Sequence, residues 1–166
     1  MEPSWEEFVS SHAQAVMNAA LRVVGNISDA EDVAQNVFIE IFRNGNIVEL
    51  EDQPALLCTI ATRRALDLLR RRKLPHELNG YELDLCEHEP CDYAIAAELE
   101  ERLGEGLGRL PPREAEVFCL TFFEGYSNAE IAKSLNISPG AVAKSLCIAR
   151  SRLSKFFGNV KTEPKP

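Results

Sequence analysis

Apolar residues recur every three to four positions along most of this chain, and no stretch alternates apolar and polar as a half-buried strand would. Phe8, Val9, Val16, Ala20 and Val23 place a first helix over about 5–24, which Gly25 ends. Ser28 and Glu31 have the spacing of a capping box opening a second helix. There Val33, Val37, Phe38, Ile41 and Phe42 form one apolar stripe before Asn44-Gly45 stops it. A third helix follows Asp52-Gln53-Pro54, turns Leu57, Ile60, Ala61 and Leu68 inward, and ends before Pro75. The pattern fades over 75–91, where Pro75, Gly80 and Pro90 lie among scattered acids, as expected of a linker. It resumes at Ile95, Leu99, Leu103 and Leu107 and halts at Leu110-Pro111-Pro112. Three short helices then follow: about 112–124, 127–135 with Ser127 and Glu130 as its cap, and 138–157 opened by Ser138-Pro139. The expectation is an all-α chain of two small helical domains, 5–74 and 95–158. An acidic linker, 75–94, joins them, and a disordered tail, 159–166, follows.

Composition narrows the classes. With 166 residues, 45% hydrophobic and 27% charged, the chain is ordinary for a soluble globular protein. Its apolar runs all fall well short of the ~20 residues that cross a bilayer. The acidic start, MEPSWEEF, is unlike a secretory signal, and five scattered cysteines without a CxxC pair fit a reducing cytoplasm. The net charge of −8 argues against a nucleic-acid partner until it is resolved along the chain. Residues 1–54 carry two basic and ten acidic groups, and residues 75–102 carry one and nine. Residues 55–74 carry six basic groups and one acid, and so do residues 138–166. Two basic islands about seventy residues apart thus interrupt an acidic chain, and each requires a local partner or a solvated face.

The second island contains the clearest motif. Ile131, Ala132, Leu135, Ile137 and Val142 have helix-turn-helix spacing, with the turn at Asn136–Ser138. The small Ala132 lets the helices approach, and Ile131, Leu135 and Val142 close their shared core. Such a second helix enters a major groove N-terminus first. It would present Ser138, Pro139, Gly140, Ala141, Lys144 and Ser145, with Lys144, Arg150, Arg152 and Lys155 neutralising phosphates. An ordinary three-helix bundle would share the apolar pattern but not the basic bias.

LPPREAEVFCLTFFEGYSNAEIAKSLNISPGAVAKSLCIARSRL resembles region 4 of bacterial RNA polymerase sigma factors. It is also similar to the DNA-binding domain of LuxR-type regulators, which bind duplex DNA without polymerase. The first half separates the two. VGNISDAEDVAQNVFIEIFRN resembles sigma region 2.2, whose D-x-E-D-x-x-Q run docks the polymerase clamp. The resemblance assigns that role to Asp29, Glu31, Asp32, Gln35 and Asn36, and helical spacing sets Asp32, Gln35, Asn36 and Glu40 opposite the apolar stripe. PALLCTIATRRALDLLRRRK resembles the region 2.3–2.4 helix that captures the opened minus-ten strand, matching at Ala55, Leu57, Ile60, Ala61, Ala65, Asp67, Arg70 and Arg71. A basic groove for a single strand would then be built from Arg63, Arg64, Asp67, Arg70, Arg71, Arg72 and Lys73.

Four positions depart from the family's habit. Leu56 replaces the usual tryptophan and Arg63 the usual asparagine, while Ala143 and Ser145 stand where lysine and arginine are common. The short length resembles the compact extracytoplasmic-function group of the sigma-70 family. That resemblance implies core RNA polymerase and promoter DNA as partners, an anti-sigma protein as a further one, helix 112–124 near the polymerase flap, and a cytoplasmic location. Neither a cofactor nor enzymatic chemistry is implied. Cys86, His88 and Cys91 form a C-x-H-x-x-C run without a fourth ligand nearby, too little for a metal site. Cys58, Cys119 and Cys147 fall within helices and are expected to be core thiols.

Overall fold

The computed structural model describes residues 4–45, 53–73 and 92–158, with the side chains of 53, 73 and 92–100 excluded. Residues 75–91 of the expected linker, the Cys86–His88–Cys91 run and the tail lie outside these residues, while 92–94, expected to belong to the linker, form the first turn of a helix. Every regular element among the described residues is a helix: α1 Trp5–Val24, α2 Ile27–Asn44, α3 Gln53–Lys73, α4 Asp92–Arg109, α5 Pro112–Phe122, α6 Asn128–Leu135 and α7 Pro139–Gly158. Among them, no helix is long and apolar enough to cross a membrane.

The first three helices form one layer of packing. Phe8, Val16, Ala19, Ala20 and Val23 of α1 meet Val33, Val37 and Ile41 of α2 and Leu57, Ala61, Ala65 and Leu66 of α3, all buried. Full burial of Ile41, Leu57 and Leu66 contributes about 1.5–3 kcal/mol each. Gly25 closes α1 at φ 77°, a left-handed conformation that glycine adopts without strain, and its N–H reaches the Leu21 carbonyl at 2.9 Å.

Two local expectations are corrected here. The cap of α2 is Asn26, not Ser28: its side chain accepts from the Asp29 N–H at 2.9 Å. The left-handed Gly25 turns the chain so sharply that Asn26, in an extended conformation, already stands at the boundary, which leaves Ser28 inside the first turn. Phe42 does not belong to the inward stripe either. It is 65% exposed, its ring lying 5.1 Å from that of Trp5 at the open end of α1 and α2.

The last three helices enclose a second cluster of Val117, Leu120, Ile131, Ala132, Leu135 and Val142, supported by Tyr126, Ile137 and Leu146. These include every core position expected of the helix-turn-helix. Asn136 makes its turn at φ 54°, a left-handed conformation that asparagine tolerates, and its N–H satisfies the carbonyls of Ala132 and Lys133. The α4 helix packs on both α3 and α7. Gly106 permits the second contact: a Cβ there would meet Leu153 Cδ2 at 2.9 Å. The first cluster runs on through Leu107, Leu110, Ala115, Cys119, Ala149 and Leu153, so α4, α5 and α7 share a core with α1–α3. Cys58 and Cys119 are buried as expected, but Cys147 is exposed, because its place on α7 faces away from α4, α5 and α6.

Candidate nucleic-acid interface

The N-terminal end of α7 is held open by the turn before it. Ser127 and Glu130 cap α6 reciprocally at 3.2 and 2.7 Å, and Ser138 caps α7 by accepting from the Ala141 N–H at 3.1 Å. Ser138, Pro139, Gly140 and Lys144 are exposed, with Ala141 and Ser145 half-buried beside them. Positions three and four apart share a helix face, so Ser138, Ala141, Lys144 and Ser145 form one outward strip. The first turn of α7 carries no acid, which preserves its attraction for phosphate. Arg152 is exposed further along the helix. Arg150 is exposed too, but its guanidinium lies 5.1 Å from the centre of the Phe122 ring, drawn back towards α5.

The basic stretch of α3 is more committed than its composition suggests. Arg64 donates from Nε and Nη2 to Glu40 of α2 at 3.0 and 2.7 Å, and its Nη1 approaches Asp67 at 3.8 Å. Asp67 also accepts from Arg70 at 3.3 Å. The Arg70 Nε and Nη2 are buried and find no acceptor among the described residues. Arg72 pairs with Asp29 of α2. Arg71 is exposed, and the side chain of Lys73 is outside the described residues. Arg63 reaches to another helix altogether, donating from Nε and Nη2 to Glu116 Oε1 of α5 at 2.9 and 2.8 Å. Leu56, at the usual tryptophan position, is half-buried.

The two sites inferred separately for polymerase and for the single strand therefore adjoin. Asp32 and Asn36 of α2 and Arg64, Asp67 and Arg71 of α3 line one groove of about 310 Å³, floored by Val33 and Leu68. Glu31, Asp32, Gln35 and Asn36 are exposed, as a docking face requires. Asp29 stands apart: its side chain is only 15% exposed and is shared between Asn26 and Arg72. Its first task is to hold α2 to α3.

Several residues in this arrangement carry no motif. Glu40 orients Arg64, Glu116 holds Arg63, Thr59 of α3 shares a 2.8 Å hydrogen bond with Ser134 of α6, and Glu124 pairs with Arg22 at 2.9 Å. The one available signal is Glu116 itself, a carboxylate among Ala115, Val117, Cys119 and Leu120 that burial disfavours unless paired. Nearby, burial first and Glu124 second push the Cys58 thiol above its ordinary value. Burial likewise raises the Tyr126 phenol, with Cys58 the next cause. These neutral groups fill the space beside the charged pairs.

Sequence and fold are both similar to those of known proteins. A family model described as Sigma-70 region 2 matches residues 8–74, and one described as Sigma-70 region 4 matches residues 100–153. ECF RNA polymerase sigma factor SigE of Mycolicibacterium smegmatis is 30% identical over 97% of this chain, which spans 64% of that protein. ECF RNA polymerase sigma factor SigW of Bacillus subtilis is 26% identical over 93% of the chain and 89% of its own length. In fold, the chain is similar to CnrH, solved in complex with the cytosolic domain of CnrY, with a TM-score of 0.62 at 24% identity over 95% of this chain and 89% of that one. It is also similar to the sigma factor RpoE from Bartonella quintana, solved with the anti-sigma factor NepR, with a TM-score of 0.57 at 16% identity over 94% and 98%. A region 2 bundle followed by a region 4 helix-turn-helix defines the class: the chain belongs to the sigma-70 family of transcription initiation factors. Within that family it is an extracytoplasmic-function sigma factor, directing transcription initiation from promoters. The region 2 match leaves the freely binding LuxR-type alternative without support.

Proposed function

We propose that residues 5–74 and 95–158 act as two working units joined by 75–94. The first docks core RNA polymerase through Glu31, Asp32, Gln35 and Asn36 of α2 and holds the melted minus-ten strand along α3. The second reads the minus-thirty-five duplex with Ser138, Gly140, Ala141, Lys144 and Ser145, while Arg152 and Arg150 meet phosphates. The observation that supports this reading is the groove shared by α2 and α3, where Asp32 and Asn36 stand beside Arg64 and Arg71. Polymerase docking and strand capture are thereby adjacent events on one rigid pair of helices.

The chain itself performs no chemistry; it acts in the cytoplasm as a specificity subunit, and an anti-sigma protein is a natural antagonist. The complexes of CnrH with CnrY and of RpoE with NepR support that last assignment. With a net charge of −8, the free subunit holds duplex DNA weakly, and the polymerase supplies most of the affinity. Run-off transcription with purified core polymerase and a genomic promoter library is the test. Discrete, chain-dependent transcripts are expected. Failure of every template to fire, or tight salt-resistant duplex binding without polymerase, would refute the reading.

A further inference from the structure

A cavity of about 480 Å³ lies where the end of α1 meets α4 and the end of α5. Its walls are Leu21 and Val23 of α1, Leu103 and Leu107 of α4, and Phe123 just beyond α5. Pockets that enclose small ligands span about 300–1,000 Å³ and are mostly apolar, with a few polar groups that orient the guest. Here that polar group is Arg22, the one charged residue of the lining among the described residues. It is half-exposed and gives Nη1 to Glu124 at 2.9 Å, while its Nε and Nη2 have no acceptor among the described residues. A guanidinium carries five N–H donors in a fixed fork, so Arg22 can take a second carboxylate without releasing Glu124. Gly104 also lines the cavity, and packing does not call for it. Glycine inside a helix weakens it relative to alanine, yet a Cβ at 104 would meet nothing within 4 Å. Gly106 differs, because α7 comes close to it. At Gly104 the missing side chain serves only to leave room.

We propose that this cavity binds a small amphipathic carboxylate, its apolar body against Leu21, Leu103, Leu107 and Phe123 and its head group on the remaining donors of Arg22. The charge of the lining selects the head group. A carboxylate gains charge-assisted hydrogen bonds from the guanidinium, an alcohol gains weaker ones, and an ammonium is repelled. The walls select the body, because apolar atoms on the cavity side supply packing contacts that the protein itself does not make there. The residues involved are distinct from the groove of α2 and α3 and from the exposed strip of α7, so occupancy requires neither polymerase nor DNA. A guest touching α1, α4 and the end of α5 binds only the folded chain, and therefore stabilises it by mass action.

The test uses the full-length chain, with sodium decanoate as the probe below its micelle concentration and decanol and decylamine as matched controls. Calorimetry should find one decanoate site per chain. Thermal scans should show Tm rising by about 5–11 °C at a decanoate concentration a hundred times the Kd. Decanol should bind about tenfold more weakly, the difference a charged hydrogen bond makes, and decylamine should not bind. Gly104→Leu puts a side chain into the cavity; it should melt at or above the parent and lose decanoate binding. Arg22→Gln should reduce decanoate to the affinity of decanol and leave decanol unchanged. A decanoate bearing a terminal diazirine should label the unmodified chain at Leu103, Leu107 or Phe123, a readout that needs no variant to fold. Absence of saturable decanoate binding would overturn the site. So would binding that survives Gly104→Leu, or labelling confined to other residues. Equal affinities for decanoate and decanol would overturn the role of Arg22. None of these results bears on promoter-dependent transcription, so the family function would stand in every case.

Discussion

Two glycines on α4 offer a matched experiment, because the same substitution should act in opposite directions two residues apart. Gly104 and Gly106 both lie inside the helix, and replacing a helical glycine by alanine gains about 1 kcal/mol in propensity. At Gly104 an added Cβ meets nothing within 4 Å, so Gly104→Ala keeps that gain. At Gly106 the Cβ would lie 2.9 Å from Leu153 Cδ2 and 3.1 Å from Phe156 Cδ1. Leu153 is 5% exposed and has little room to retreat, and the Arg109 guanidinium sits 4.9 Å from the centre of the Phe156 ring. Overpacking of this kind costs about 1–3 kcal/mol, which cancels or exceeds the propensity gain. The two variants should therefore differ by about 2 kcal/mol, or roughly 4–8 °C in Tm for a chain of this size. Gly104→Ala should melt above the parent, and Gly106→Ala at or below it, in parallel thermal scans. Equal stabilisation by both would show that α4 does not pack closely on α7, and with it would fall the account of how the helix-turn-helix is held to the rest of the molecule.

Three further outcomes are expected. Ser127→Ala removes the reciprocal cap of α6 and should cost about 1 kcal/mol, read as a lower urea midpoint at unchanged m-value. Lys144→Ala should reduce the salt slope of the polymerase–promoter complex by about one unit, measured by filter binding across a salt series, and an unchanged slope would remove Lys144 from the interface. Cys119 is pushed above its ordinary value of 9.0 by burial first, then by Glu124 and Glu116. The fold keeps that proton after the unfolded chain has lost it. Stability should therefore hold up to about pH 9 and then fall with rising pH, by up to about 1.4 kcal/mol per unit for this group. Tyr126, also raised by burial, adds to the decline from about pH 10. Thermal midpoints from neutral pH to above 10 would check this, with Cys119→Ala expected to delay the fall.

Elements with strong local signals are legible in the sequence. The bounds of α1 follow from apolar spacing and Gly25, those of α6 from the Ser127–Glu130 cap, and the helix-turn-helix core from apolar spacing. The cap of α2 is not, because serine and asparagine both satisfy a free N–H, and the φ of the preceding glycine decides between them. Phe42 fits the inward stripe by its spacing, yet the stripe ends where Trp5 runs out of partners to cover it. The exposed strips of α2 and α7 can be placed by helical geometry. Ion pairs between helices cannot: Arg63 and Glu116 are 53 residues apart and Arg72 and Asp29 are 43, with nothing local to link them. A run of arginines reads as one basic patch, yet packing assigns four of them to four different carboxylates.

The pairs Asp29–Arg72 and Glu40–Arg64, which tie α2 to α3, carry a consequence for how such a chain can change over generations. In the proposed reading, each pair has one end on the helix assigned to the enzyme and the other on the helix assigned to the strand. A lineage that alters Arg64 or Arg72 to prefer a new promoter leaves a carboxylate stranded on the polymerase side. Repair must then come from position 40 or 29. Under that reading, promoter preference and enzyme fit do not drift independently at these four sites, and a shift in what the protein reads leaves its trace on α2 as well as on α3.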